Sequence, residues 1–561
     1  MVNYAVYLEI ASEGRCMAHV LDLPGCTVRA ATRDEVLQRL PDAIRAYHAW
    51  LRTHGEPAPP ADEPLTYSVA GESSGFGPFD PGDAAALFPP DLPPITPTEI
   101  ERYFRLMGYA RADLLALVRD LPDEVLDWQP DAQSFPIRRL LRHIGNAEQW
   151  YVSRVVAQET LPTQWAHGEE MPLLEYLDMT RQTALARLRQ TTEEERTRVT
   201  HPAYWTQHPE EPWTMRKALR RFLEHEREHT AQIRTVLAQW RAHLLAHLAS
   251  ERAKLWQLLV GLDEETLTQH PVFADWTAKD LLAHIAAWDE FHTQRVALLQ
   301  VGQEADIPAV DLDEHNAVIH AQRRDWLLDR AVEACQSARE EFLQALASLT
   351  EEQLHRRLCL PWGETSARRW AQNRARHDAW HAADVHTWRQ RLALPPRVGP
   401  KVVLLAALKA MHDELEHAVA LVPAAERETR LVCGEWTLKD VVGHIADWER
   451  LAVEGLRQMA AGQAPRVERV RDIHTWNQAH VLARRDQPWE AVWQDVQTTH
   501  RDLMEVLQGM SQATLCQEFP APWQPAATPY DWAVIILSHG RTHAADLETN
   551  PPYPLRRGEP T

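Results

Sequence analysis

Three times along the chain an aromatic residue stands eight positions before a His-Ile pair, with an acid five positions after the histidine. The blocks are SFPIRRLLRHIGNAEQW at 134–150, DWTAKDLLAHIAAWDEF at 275–291 and EWTLKDVVGHIADWERL at 435–451. Phe135, Trp276 and Trp436 lead them; Glu148, Asp289 and Glu449 are the acids. Downstream of each lies a His-x-x-x-His pair: His225/His229, His377/His381 and His539/His543. Recurrence of a whole pattern in diverged copies means one structural unit used three times.

From Thr98 onward apolar residues follow helical spacing, as in Tyr103, Leu106, Met107, Ala110, Leu114, Leu117 and Val118, and strand signals disappear. Each unit holds four helices in about 140 to 160 residues, the size of an antiparallel four-helix bundle. The spacing predicts bundles over 98–240, 241–396 and 397–555, with a helix around 239–258 a candidate to run from the first into the second. Repeats two and three share more: Asp311 and Asp472 stand five residues before Asn316 and Asn477, and Arg-Arg-Asp follows at 323–325 and 484–486.

Residues 1–55 differ. Alternation over Asn3 to Ile10 and apolar runs over Cys16 to Leu23 and Thr27 to Ala31 predict three short strands. Thr32 to Glu35 reads as a capping box opening a helix through Leu51, which Pro41 is expected to kink or split. Residues 56–97 collect Pro, Gly, Ser and Asp and read as a linker. The fold class is therefore mainly α: three tandem bundles behind a small N-terminal α+β domain.

Hydrophobic residues make up 45% of the 561 and charged residues 25%, enough for packed cores in every unit. The net charge of -21 repels phosphate backbones and anionic headgroups, so neither nucleic acid nor a membrane surface is an expected partner. Six scattered cysteines with no C-x-x-C pair argue against a disulfide framework or a thiolate zinc site. With neither an export signal nor a membrane span in the sequence, a cytoplasmic location is expected.

The abnormal values are 28 His and 22 Trp. Two histidines four apart project from one helix face and can share one ion, the third ligand coming from another helix. His143, His284 and His444 precede the pairs by 82, 93 and 95 residues. Three sets follow: His143, His225 and His229; His284, His377 and His381; His444, His539 and His543. Three neutral imidazoles suit Zn²⁺, Ni²⁺ or Fe²⁺, up to three ions per chain, and leave positions open for water or substrate.

His243/His247 has no upstream partner and reads as a surface pair, as do His48, His292 and His355 singly. Trp150, Trp213, Trp276, Trp288, Trp362, Trp436 and Trp448 read as core and loop packing rather than a substrate cage. Gln232, Asp384 and Asp546, one turn after the last histidine, either orient a ligand or belong to an exposed face. Asn316 and Asn477 with their aspartates read as helix caps.

The three units resemble the DinB superfamily of metal-binding four-helix bundles (DinB/YfiT-like), through the aromatic-x7-His-Ile block and the downstream pair; HEREHTAQI at 225–233 is closest to the family pattern. The resemblance places the metal triad on the nine histidines above. Asp384 and Asp546 replace the usual Gln, and Arg-Arg-Asp after Asn resembles the ClbS/DfsB-like branch. Residues 1 to about 54 resemble the HicB-like antitoxin fold through VYLEI, HVLDLPGC and AIRAYHAWL; no toxin-neutralising role follows, and a protein-binding or self-associating appendage is the expectation.

The resemblance implies a divalent metal and, in some members, transfer of low-molecular-weight thiols or hydrolysis of electrophiles. The expected function is a metal-dependent hydrolase or thiol S-transferase acting on a small molecule in detoxification or stress, with the catalytic group itself unassigned. The alternative is a metal-pinned interaction scaffold or ligand sensor with an antitoxin-like head.

Overall fold

The N-terminal alternation becomes β1, Val2–Ile10, at the centre of a sheet with β2, Cys16–Val20, and β3, Thr27–Ala30. The computed structural model describes residues 2–74, 86–131, 134–202, 204–206, 208–393 and 395–547. Two units emerge, Met1–Leu237 and Ala238–Thr561. The helix Met215–Leu259 crosses that division.

In the first unit the sheet gains a strand that the composition hides. The supposed linker contains β4, Leu65–Ser74, paired parallel to β1 at its edge, giving the order β3-β2-β1-β4. Leu65, Tyr67 and Val69 alternate with polar or small residues, the period of a half-buried strand, but flanking prolines and glycines dominate the window. The linker residues 75–85 lie outside the described residues. The helix Arg33–Thr53 is capped by Thr32 and runs unbroken through Pro41. Proline leaves the carbonyl four residues back without its amide; here that carbonyl, on Leu37, accepts from the Tyr67 hydroxyl of β4 at 2.9 Å.

Every residue of β2 is buried, because both sheet faces are covered. Val36, Leu40, Ile44 and Tyr47 of the helix join Val6, Leu8 and Ala18 in one core, which continues into Phe104, Met107, Phe222 and Leu223 of the first bundle. That bundle's helices are Pro97–Val118, Ile137–Val155, Leu173–Arg189 and the start of Met215–Leu259.

In the second unit the C-terminal part of Met215–Leu259 is followed by Ala278–Gln300, Leu328–Ala347 and Ala367–Leu392, and then by Lys401–Ala420, Leu438–Ala460, Trp489–Gly509 and Pro529–Leu547. Short helices Leu312–Arg323 and Ile473–Arg484 bridge the second and third helix of each bundle. Residues 548–555 of the expected third bundle lie outside the described residues. One core holds Leu255, Trp256 and Leu281 together with Leu404, Met411, Tyr530 and Trp532, so the two bundles are packed as one body.

The helical remainder carries small two-stranded hairpins: Pro271–Phe273 with Trp276–Thr277, Leu358–Leu360 with Gly363–Thr365, and Leu431–Cys433 with Trp436–Thr437. Strands of two or three residues are too short to show a period. Among the described residues no helix is long and apolar enough to cross a membrane.

Candidate metal centres

In the second and third copies the register of the second helix is set at its start. Thr277 and Asp280, and Thr437 and Asp440, form reciprocal capping boxes, which fix His284 and His444 two turns in. Each aromatic of the repeated block then meets its histidine, Trp276 with His284 at 5.1 Å between ring centroids and Trp436 with His444 at 4.9 Å. Phe135 differs, lying exposed under the Arg139 guanidinium.

All nine histidines converge as three groups, one from the second helix and two from the fourth in each. His225 Nε2 lies 3.0 Å from His143 Nε2. In the second group Nε2 of His377 lies 2.9 Å from that of His284 and 3.2 Å from that of His381. In the third, Nε2 of His539 lies 2.9 Å from that of His444 and 3.2 Å from that of His543. Nitrogens bound to one ion at about 2.0 to 2.1 Å, at angles between right and tetrahedral, stand about 2.9 to 3.4 Å apart. The donor sets fit a divalent ion.

The other ring nitrogen decides the tautomer. His229 Nδ1 donates to Gln232 Oε1 at 2.9 Å, which leaves its buried Nε2 bare and without a hydrogen-bond partner. His381 Nδ1 lies 3.5 Å from Asp384 and His543 Nδ1 4.0 Å from Asp546. Burial, then the neighbouring imidazoles, push His284 down to about 2 and His444 to about 3. His229 and His539 fall to about 4. His225 and His377 lie well below the usual histidine range.

The second triad opens on a cavity of about 1010 Å³ lined by all three histidines, by Trp276, Trp288, Trp362, Trp370 and Trp380, and by Arg295 and Arg374. Trp276, Trp288 and Trp362 therefore wall a site, where the sequence favoured packing. Asn316 holds Trp288, accepting from its Nε1 at 3.0 Å, and Asn477 does the same for Trp448 at 3.2 Å. Capping falls instead to Asp311 and Asp472. Arg323 donates to Ala283 O and Glu290, and Arg484 to Asp447, so the first arginine of each Arg-Arg-Asp braces the helix that carries the first histidine.

Single histidines expected at the surface are buried: His48 against the Tyr4 hydroxyl at 2.8 Å, His355 beside Trp240, and His292 in the cavity wall. His247 is buried and His243 half-buried. Neutral imidazole is small and flat enough to stack in a core, which lone spacing in a sequence does not reveal.

Compared with known families, the chain matches the DinB superfamily three times, over residues 107–233, 247–385 and 407–547. No curated protein and no solved structure matches it.

Proposed function

We propose, from the premise that the chain belongs to the DinB superfamily, a metal-binding family, that it is a metal-dependent enzyme acting on small electrophiles by hydrolysis or by transfer of a low-molecular-weight thiol. The observation that carries this reading is the second triad's position in the wall of a cavity large enough for a small-molecule substrate. A structural site would be closed by protein on every side. Zn²⁺, Ni²⁺ or Fe²⁺ held there supplies Lewis acidity that lowers the pKa of a water or thiol reaching it. The chain's own residues do the rest: His284, His377 and His381 bring their Nε2 atoms together, Trp276 and Trp288 bound the space, and Asn316 fixes Trp288.

Within this reading the second and third bundles are ClbS/DfsB-like, the N-terminal sheet and helix form a HicB-like head that binds a protein or a second copy, and the chain works in the cytoplasm. The proposed bundle limits remain 98–240, 241–396 and 397–555. The test is elemental analysis together with hydrolytic and thiol-transfer turnover before and after chelation. Metal at up to three equivalents, with turnover lost on chelation and restored by Zn²⁺, is expected; turnover indifferent to chelation overturns metal catalysis.

A scaffold or sensor is the second reading. It is favoured by the core that the N-terminal sheet shares with the first bundle, which makes the head part of the array. In that case His229→Ala lowers thermal stability and no turnover exists to be lost.

A further inference from the structure

Among the described residues, two guanidiniums of the second bundle's cavity have no carboxylate at ion-pair distance. Arg374 is 4% exposed and Arg295 8%, and neither Nε finds a hydrogen-bond acceptor. Arg374 stands one helical turn before His377, its Nη1 3.3 Å from the imidazole Nδ1; Arg295 donates to Pro308 O at 2.9 Å. The nearest buried acids are engaged elsewhere: Asp289 and Asp378 each pair with both Arg252 and Arg339. Arg374 feels all four of these groups, so three guanidiniums stand against two carboxylates behind the cavity wall, and Arg295 adds a fourth cation. A buried excess of positive charge is costly unless something answers it. It occurs in a protein of net charge -21, and the acids that line the cavity, Asp311, Asp313 and Glu364, are exposed at its rim beside Arg369.

The other two copies lack this pair. Eleven residues after the first histidine the third bundle has Gly455, its space taken by Trp532, and three before the second histidine it has Ile536. The first bundle has Phe222 at the latter position; at the former it has Arg154, whose guanidinium is consumed by Ser153 and by the carbonyls of Pro202 and Tyr204. The cations are a specialisation of the second copy rather than a requirement of the bundle.

We propose that the second cavity is a site for an organic carboxylate with a flat apolar body. The carboxylate is bound by Arg374 and Arg295, and the body lies against Trp276, Trp288 and Trp362. Planar guanidinium and carboxylate match each other's geometry, and indole faces suit a planar body. This names the substrate class of the second triad and rests on the reading of that triad as an open site.

The probe is 2-naphthoate, titrated into the full chain by calorimetry and by tryptophan fluorescence, once after chelation and once after loading with Zn²⁺. One naphthoate per chain is expected. Its neutral counterpart 2-naphthylmethanol should bind at least about tenfold more weakly, the scale of one charge-assisted hydrogen bond. Arg374→Gln and, separately, Arg295→Gln should weaken naphthoate to the same degree. Trp362→Ala, at an exposed loop position, keeps the site testable if either arginine variant fails to fold, and should also weaken it. Equal affinity for naphthoate and the alcohol, or affinity unchanged in Arg374→Gln and Arg295→Gln, overturns the proposal. A chain that loads Zn²⁺ but binds no naphthoate overturns it while leaving the metal reading intact. A chain that binds naphthoate but loads no metal rejects the enzyme reading and upholds the anion site.

Discussion

An imidazole offers its Nε2 lone pair when its Nδ1 carries the proton, so the group facing Nδ1 controls ligation from behind. In the first copy that group is Gln232, at 2.9 Å from His229. Gln232→Leu is expected to weaken Zn²⁺ at the first site by about 10- to 100-fold while sparing the other two; competition with a chromophoric chelator resolves one weakened equivalent of three. A second expectation concerns space. A Cβ on Gly455 would overlap the Trp532 ring, which is packed and cannot swing away. Gly455→Ala should therefore cost about 1 to 3 kcal/mol, read as a lower urea midpoint at unchanged slope. The nine histidines were legible because the same spacing occurs three times and chance does not repeat itself. Arg295 and Arg374 were not, since the pair belongs to one copy, and Arg154, which aligns with Arg295, is spent on Ser153 and loop carbonyls. His48, His292 and His355 were misplaced for a related reason: a lone histidine carries no period, and its burial is decided by the rings it meets in three dimensions.

Among the helices of each of the first two copies lies its own buried lattice of two arginines and two acids. Arg111 and Arg181 bind Glu148 and Glu226, and Arg252 and Arg339 bind Asp289 and Asp378. The repeated acid of each block is thus a brace for the helix beside the triad, a role its regular spacing marked without explaining. Removing Arg339 breaks two of the four ion pairs and leaves both buried carboxylates to share Arg252, so Arg339→Met should destabilise by about 3 to 5 kcal/mol, measured by chemical denaturation of the full chain. In the third copy the matching positions hold His412, His500, Glu449 and Gly540. The two imidazoles stack at 4.0 Å, and His500 Nδ1 faces Glu449 at 3.4 Å. His412 also faces Glu416 at 3.6 Å, with Lys409 nearby. Burial first, then His500, push His412 down to about 2. Below pH about 6.5 the unfolded chain takes up a proton that folded His412 refuses. Its share of stability is therefore full above that pH and falls as pH drops toward the folded value. His412→Phe should make stability between pH 6 and 4 less pH-dependent, by up to about 1.4 kcal/mol per pH unit, as read from urea midpoints across that range. The lesson of β4 is similar: Leu65–Ser74 alternates plainly, yet its prolines and glycines on either side outweighed ten residues of period two.

At the scale of the two compact units, the sequence predicts tandem bundles, and within each unit one core runs across neighbouring domains. Unit count and helix order could be read from spacing, but which apolar faces meet could not, because a helix stripe has the same period whether it faces its own bundle or a neighbour. Leu404 and Met411 share a core with Leu255 and Leu281, and Phe222 and Leu223 share one with Val6 and Leu8. Charge follows the same rule in Met1–Leu237. His19 of β2 lies 3.1 Å from Glu224, Arg29 lies 2.7 Å from Glu228, and each acid immediately precedes one histidine of the pair on the helix Met215–Leu259. Deleting residues 2–74 would expose Phe222 and Leu223 and take His19 from Glu224, the residue next to His225 of the first metal site. The deletion is expected to lower the unfolding temperature of the first bundle, to raise binding of an apolar dye, and to weaken metal at the first site alone. Calorimetry and site-resolved metal titration check this: an unchanged thermogram with three intact equivalents would mean that the N-terminal sheet is a passenger and that the first bundle folds without it.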